Sequence, residues 1–315
     1  MNLLAAMRYL VALDKHRHFG RAAEASHITQ PALSNAVRAL EEEFGVAIIK
    51  RSRIYGGLTT EGEAVLETAR RMLRDVDLLT EELESTAESP QGPLRMAAVP
   101  TAMPLLTVFA AMLRRRHPGI VSTILPMSSP DIEAQLEDLS LDMALGYTER
   151  LVGKKASRFQ SWPQARERYY FLRRRAGKLG KMLHYGAPMR WSEVKGQPLC
   201  QLTPDMHNRA IIDNALASRG IASEPALVTN SLLAVVLAVA VGDVCAILPG
   251  AMIEAFRKKA ELEALPLIDP DIRTPVGFIA RKDSRPSRAL QAALRLMAAT
   301  EWVSALAQCA GESGS

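Results

Sequence analysis

Three features of this 315-residue sequence predict an α/β chain led by a small helical domain. The first sixty residues read as helix, short helix, turn, helix and basic hairpin. Residues 60–88 form a helix-favouring stretch without proline. From residue 94 onward, strand and helix signals alternate.

Composition narrows the class. With 48% hydrophobic and 23% charged residues, the chain is not disordered throughout, and its length supports a core without disulfides or metal. The longest apolar run, Leu232 to Val241, falls well short of the roughly 20 residues that a membrane span needs. Met1-Asn2-Leu3-Leu4 shows no secretory features, and Cys200, Cys245 and Cys309 are odd in number and widely spaced. Both point to a reducing, cytoplasmic setting with no membrane partner. A net charge of +5 permits an anionic partner, and its distribution is informative. Residues 1–60 are net basic, whereas residues 61–88 carry nine acids against Arg70, Arg71 and Arg74.

Leu3 to Leu13 places Leu3, Met7, Leu10 and Val11 at helical spacing. Gly20 to Ser26 suits a short, closely packed helix, and His27-Ile28-Thr29 makes a turn. In the stretch Thr29 to Glu41, Thr29 can cap the helix and Pro31 sits in its first turn. Leu33, Val37 and Leu40 make one apolar stripe, opposite Gln30, Ser34, Asn35 and Arg38. Such a face can enter a major groove, where Asn or Gln pairs with adenine and Arg grips guanine or phosphate. Val46 to Ile49 is expected as a strand leading into Lys50-Arg51-Ser52-Arg53, a basic wing. The candidate DNA-binding residues are therefore Thr29, Gln30, Pro31, Ser34, Asn35 and Arg38 on the helix, with Arg51 and Arg53 on the wing. A solvated helix beside an ordinary basic hairpin is the plainer alternative. The order and spacing of the two features favour DNA.

In the stretch that follows, Leu66, Ala69, Leu73, Val76, Thr80, Leu83 and Ala87 step alternately by three and four. This seam predicts a rod of roughly 42 Å that pairs with a second helix, although packing on its own domain is the simpler reading. Ser89-Pro90-Gln91-Gly92-Pro93 ends the helix and marks a hinge.

Beyond the hinge, strands are expected at 94–99, 120–127 and 141–147, and helices at 103–116 and 132–139. The alternation suggests parallel sheets with ligand-binding loops at the carboxyl ends of their strands. Thr101 and Ala102, Ser128 and Ser129, Thr203, Pro204 and His207, and Asn230 all stand in such loops, as hydroxyls or amides near helix starts that suit a small anion. For any one of them, a simple N-cap or surface role is the competing reading. The basic stretch 150–195, with Arg173-Arg174-Arg175 and Lys178, reads better as a solvated face or subunit contact than as a second nucleic-acid patch.

Phe19-Gly20-Arg21-Ala22-Ala23, the run Thr29 to Glu41, Phe44-Gly45 and Leu58-Thr59-Thr60-Glu61-Gly62 resemble the N-terminal domain of LysR-type transcriptional regulators. Two positions depart from the family pattern: His18 stands where Ser is usual, and Gly20 where Ser or Thr is usual. The resemblance implies a winged helix-turn-helix at 1–60 and a linker and dimerisation helix with hinge at 61–93. It also implies a regulatory domain at 94–305 with the fold of periplasmic solute-binding proteins. In that fold, subdomain one covers about 94–165 and 272–305, and subdomain two about 166–271. Val276 to Ala280 would be the returning strand, Ser287 to Ala298 the closing helix, and 306–315 a flexible tail. The family dimerises through the linker helix and usually forms tetramers. Its effector cleft is lined by the positions matching Thr101, Ser129, Thr203 and Pro204. The loops at Val99 to Pro104 and Thr203 to Arg209 are also similar to those of regulators found beside formate dehydrogenase operons.

No metal-binding, phosphate-loop or nucleophile-elbow motif is present, so neither catalysis nor a cofactor is expected. The expected function is a cytoplasmic, sequence-specific DNA-binding regulator that responds to a small carboxylate or other anion, formate being one choice. Its partners would be double-stranded operator DNA, the effector, further copies of itself and RNA polymerase. The alternative is a cytoplasmic solute-binding protein or cleft enzyme with a structural helical cap.

Overall fold

The computed structural model describes residues 2–50, 55–84, 89–177, 180–222, 224–282 and 285–309. Arg51 and Arg53 of the expected wing, with Ala87 and Lys178, lie outside the described residues. The chain divides into two compact units, Met1–Thr86 and Ala87–Ser315.

The first unit contains α1 (Leu3–His16), α2 (Phe19–Ala25), α3 (Gln30–Phe44) and α4 (Thr60–Glu84). Thr29 caps α3, its hydroxyl accepting from the Ala32 amide at 3.4 Å, and Gly45 closes the helix at φ 65°. Leu33, Val37 and Leu40 are buried as the stripe predicts. The strand expected at Val46 to Ile49 is reduced to a single bridge between Ile49 and Leu58. The reason is local: one oxygen of the Glu41 carboxylate accepts the amides of Ile48 at 2.8 Å and Ile49 at 3.1 Å. Thr59 completes the anchor, its hydroxyl donating to the Ala47 carbonyl and accepting from the Gly62 amide. A Cβ on Gly62 would lie 2.2 Å from the Ile48 carbonyl oxygen, so only glycine lets α4 start here.

The linker seam divides. Leu66 and Ala69 are buried against Met7, Leu10, Leu40 and Ile48 of their own unit, and Arg70 bonds Asp14 of α1 at 2.9 Å. The plainer reading of the seam holds for this half. Farther along the seam, Leu73 and Val76 are half-buried while Thr80 and Leu83 are exposed, and Met72 and Leu79 beside the seam are exposed as well.

The second unit begins with β1 (Gly92–Ala98), α5 (Met103–Arg116), β2 (Ile120–Pro126), α6 (Ser129–Glu137) and β3 (Met143–Tyr147). After α7 (Lys154–Arg158) comes β4 (Phe159–Arg174), and then β5 (His184–Tyr185), β6 (Met189–Arg190) and β7 (Cys200–Leu202). Next are α8 (His207–Ala217), β8 (Leu227–Thr229), α9 (Leu232–Val241), β9 (Ala246–Pro249), α10 (Gly250–Ala255) and β10 (Leu262–Ile268). The unit ends with β11 (Arg273–Arg281), α11 (Arg288–Met297) and α12 (Thr300–Cys309).

The first subdomain carries the order β2-β1-β3-β11-β4. β1, β2 and β3 are parallel as expected, but β11 runs antiparallel to both β3 and β4. The sheet is therefore mixed, because β11 returns from the second subdomain in the opposite sense. β4 belongs to both subdomains. Residues 159–168 pair with β11, while 169–172 pair with β9 and 170–174 with β10. Side chains alternate along it, Tyr169 and Phe171 entering one core and Tyr170 and Leu172 the other. The subdomain boundary thus falls inside this strand.

The expected flexible tail begins too early at 306, since α12 continues to Cys309 and buries Leu306. Trp302 anchors α12, with its ring centroid 5.0 Å from that of Phe109 and its indole N–H donating to Gln164 Oε1 at 2.7 Å. Trp302→Ala should cost about 3–5 kcal/mol of unfolding free energy in chemical denaturation. A loss below about 1 kcal/mol would mark α12 as a dispensable appendage.

Candidate functional site

The first unit offers a face on α3. Thr29, Gln30, Pro31, Asn35 and Arg38 are exposed and Ser34 is half-buried, all opposite the fully buried Leu33 and Leu40. Arg38 makes no ion pair among the described residues. The two departures before this helix compensate each other. His18 caps α2 by accepting from the Arg21 amide at 3.3 Å, and a Cβ on residue 20 would meet its ring at 3.1 Å. The larger cap therefore goes with the smaller neighbour. Tyr55 packs edge-on against Phe19 of α2, ring centroids 6.2 Å apart.

In the second unit, a small cavity of about 10 Å³, room for roughly one water molecule, lies between the subdomains. Thr101, Ser128, Ser129, Tyr147, His207 and Asn208 line it, along with Val99, Pro100, Leu202 and Met206. Two helices begin at its wall, α6 at Ser129 and α8 at His207. At α6 the Asp131 amide is held by Ser128 Oγ, the Ile132 amide by the Ser128 carbonyl, and Pro130 has no N–H, which leaves the Ser129 amide. Ser128 is occupied as the cap of α6, exchanging hydrogen bonds with Asp131. The Ser129 hydroxyl is buried without a hydrogen-bond partner, so it is available to a ligand. Thr101 Oγ1 lies 2.9 Å from the Tyr147 hydroxyl, while the Ala102 amide is already bonded to Val99 O.

The remaining predicted residues fall elsewhere or are already engaged. The Thr203 hydroxyl is buried and unpartnered but does not line this cavity, and Pro204 is exposed. Asn230 lines a separate, mostly apolar groove with Met103, Pro104, Met252 and Phe256. His207 reaches the cavity with its ring, yet both nitrogens have neighbours in subdomain one, Arg150 Nη1 at 3.3 Å and Glu149 Oε1 at 3.2 Å.

Sequence reasoning missed Tyr147, Asn208 and Glu167. Burial pushes the Tyr147 hydroxyl well above its ordinary pKa range, and the bond from Thr101 only partly offsets this. Glu167 stands where β4 passes between subdomains, 1% exposed, with neither carboxyl oxygen hydrogen-bonded among the described residues. Its neighbours Arg166 and Arg168 disguise it as part of a surface charge run, but β4 turns those two outward and Glu167 inward. Desolvation raises its pKa from 4.5 to about 8. Among the described residues, no group of His, Cys, Asp and Glu is placed to hold a metal.

A carboxyl that holds its proton more tightly when buried weakens the fold as pH rises from 4.5 to about 8. Thermal unfolding across this range should show declining stability in the native chain. Glu167→Gln should flatten that decline; an equally steep fall in the variant would assign it to other groups.

Residues 87–301 match the LysR substrate binding domain, and residues 4–63 match the bacterial regulatory helix-turn-helix protein, lysR family. The DNA-binding transcriptional dual regulator OxyR of Escherichia coli (strain K12) is 27% identical over 287 residues, covering 88% of this chain and 89% of that protein. The hydrogen peroxide-inducible genes activator of Pectobacterium carotovorum subsp. carotovorum is 38% identical over 140 residues. That match spans about half of either protein, 44% of this chain and 46% of the relative. A full-length OxyR variant from Pseudomonas aeruginosa superposes with a TM-score of 0.66 at 22% identity, covering 95% of this chain and 94% of that one. CbnR complexed with its target DNA gives 0.61 at 20% identity, covering 94% and 98%. These two likenesses concern the fold. With both domain types matched in order along one chain, the protein belongs to the LysR family.

Proposed function

We propose that the chain is a sequence-specific DNA-binding transcriptional regulator whose activity responds to a small anion. The polar face of α3 carries the first half of this reading. Gln30, Asn35 and Arg38 project from a helix whose other side is sealed into the domain, leaving groove-reading groups free. Arg51 and Arg53 are assigned to phosphate contacts on the wing. The alternative, a solute-binding protein or cleft enzyme, leaves this face without a purpose. Self-association fits the exposed Met72, Leu79 and Leu83 on α4 and the exposed Leu233, Leu237 and Val241 on α9. RNA polymerase is the expected further partner. No helix among the described residues is long and apolar enough to cross a membrane.

The unpartnered Ser129 hydroxyl between two helix starts supports an anionic effector. The cavity has room for only about one water molecule, so an entering anion must be very small and must open the lining, and formate is the first to test. The relatives named for hydrogen peroxide suggest an oxidant instead. The cysteines weigh against a thiol mechanism, because burial raises the pKa of all three. Cys200 and Cys245 also pack into cores on opposite faces of the sheet, an arrangement that opposes a disulfide between them.

Asn35→Ala should cost about 1–3 kcal/mol against DNA from upstream of the chain's own gene and little against random DNA, read by fluorescence anisotropy. Equal loss on both would move Asn35 from base reading to backbone contact. For the effector, formate and other small carboxylates should raise the unfolding free energy by about 2.7 kcal/mol at a hundred times the dissociation constant. Ser129→Ala should reduce the gain, and an unchanged gain would place the ligand outside this cavity.

A further inference from the structure

The side chains of His207, Arg150, Glu149 and Glu133 form a chain of contacts across the cleft. Arg150 and Glu149 follow β3 in subdomain one, whereas His207 is the first residue of α8 in subdomain two. Arg150 Nε donates to Glu133 Oε1 of α6 at 3.2 Å, and Lys155 Nζ holds the other oxygen of Glu133 at 2.6 Å. Arg150 Nη1 lies 3.3 Å from His207 Nδ1, and Glu149 Oε1 lies 3.2 Å from His207 Nε2.

The chemistry of these partners fixes the imidazole. A guanidinium has only donors, so Nδ1 facing Arg150 must accept and carry no proton. A carboxylate has only acceptors, so Nε2 facing Glu149 must carry the proton. The neutral Nε2–H tautomer satisfies both bonds at once. The middle of this chain is partly shielded from solvent, Glu133, Arg150 and His207 being 14%, 24% and 19% exposed, whereas Glu149 and Lys155 are 37% and 41% exposed.

What the chain connects gives it a role. Glu133 lies one turn into α6, the helix whose start carries Ser129. His207 begins α8, whose next residue, Asn208, lines the cavity. The His207 ring also packs against Tyr147, centroids 4.9 Å apart, and Tyr147 bonds Thr101. We propose that Arg150 and His207 are positioning residues that clamp the starts of α6 and α8 together, so that the cavity forms only when the two subdomains are latched. The clamp sets the affinity for an anion; this part rests on reading the cavity as the effector site.

Glutamine is the discriminating replacement at His207, because its amide offers one acceptor and one donor, as the neutral imidazole does. Hydrogen–deuterium exchange on the full chain without ligand should show His207→Ala raising exchange several-fold in α8, in 148–150 and in 130–134 of α6. His207→Gln should stay near the native rates. Faster exchange confined to α8, or a Gln variant as fast as Ala, would overturn the clamp and leave His207 a local structural group. Titration of sodium formate into the same proteins separates the two ideas. About tenfold weaker binding is expected for both His207→Ala and Ser129→Ala. Formate binding unaffected by Ser129→Ala, or absent altogether, would overturn the reading of the cavity, while the exchange pattern would still decide the clamp.

Discussion

β4 is one continuous strand shared by two cores, and the second unit depends on that constraint. A backbone hydrogen-bonded to β11 over its first part and to β9 and β10 over its second cannot let the two subdomains fold independently. Where it passes from one core to the other, Arg166 and Arg168 face outward and the alternate side chains are enclosed. Glu167 and Tyr169 are buried there, and the Tyr169 hydroxyl lies 3.1 Å from Thr274 Oγ1 of β11. A polar crossing of this kind costs desolvation energy that an apolar one would not. The subdomains are joined by β4 and by the return of the chain from β10 to β11, and are further held by the contacts across the cleft.

Those contacts are both apolar and polar: Ala251 of α10 and Ile211 of α8 pack against the core of subdomain one. His207 makes its pair of bonds to subdomain one, and Tyr147 and Asn208 face each other across the small cavity. The cavity lies at the carboxyl ends of β1 and β3, where helix starts supply unsatisfied amides. Because the lining carries no cation, an anion held there would depend on oriented dipoles and neutral donors. These act over short range and reward a snug fit. A site of this kind, if it is the effector site proposed above, would discriminate by size and by the relative placement of α6 and α8.

Much of this was legible in the residues. The amphipathic stripe and cap of α3 located the polar face, and α5 runs from Met103 to Arg116 as its pattern predicted. Ser129 and Thr101 were legible as hydroxyls at helix starts. What stayed hidden was non-local. The sense of β11 depends on a crossover more than a hundred residues long, which no local pattern encodes. Glu167 looked exposed because arginines flank it, and only the alternation of β4 turns it inward. The linker seam could not declare which half met its own domain. That depended on α1, brought against Leu66 and Ala69 by the Asp14–Arg70 bond. Nothing local marks Glu41 apart from Glu42 and Glu43, yet its carboxylate holds the backbone amides of Ile48 and Ile49.

In the proposed function, occupancy of the cavity governs how the chain engages DNA. This dependence is tested most directly by the binding isotherm of the full chain on upstream DNA, measured at fixed salt with and without saturating small carboxylate. The account predicts that the native isotherm shifts with the carboxylate, in either direction. An isotherm that stays fixed with every carboxylate tested, while specific DNA binding persists, would contradict it.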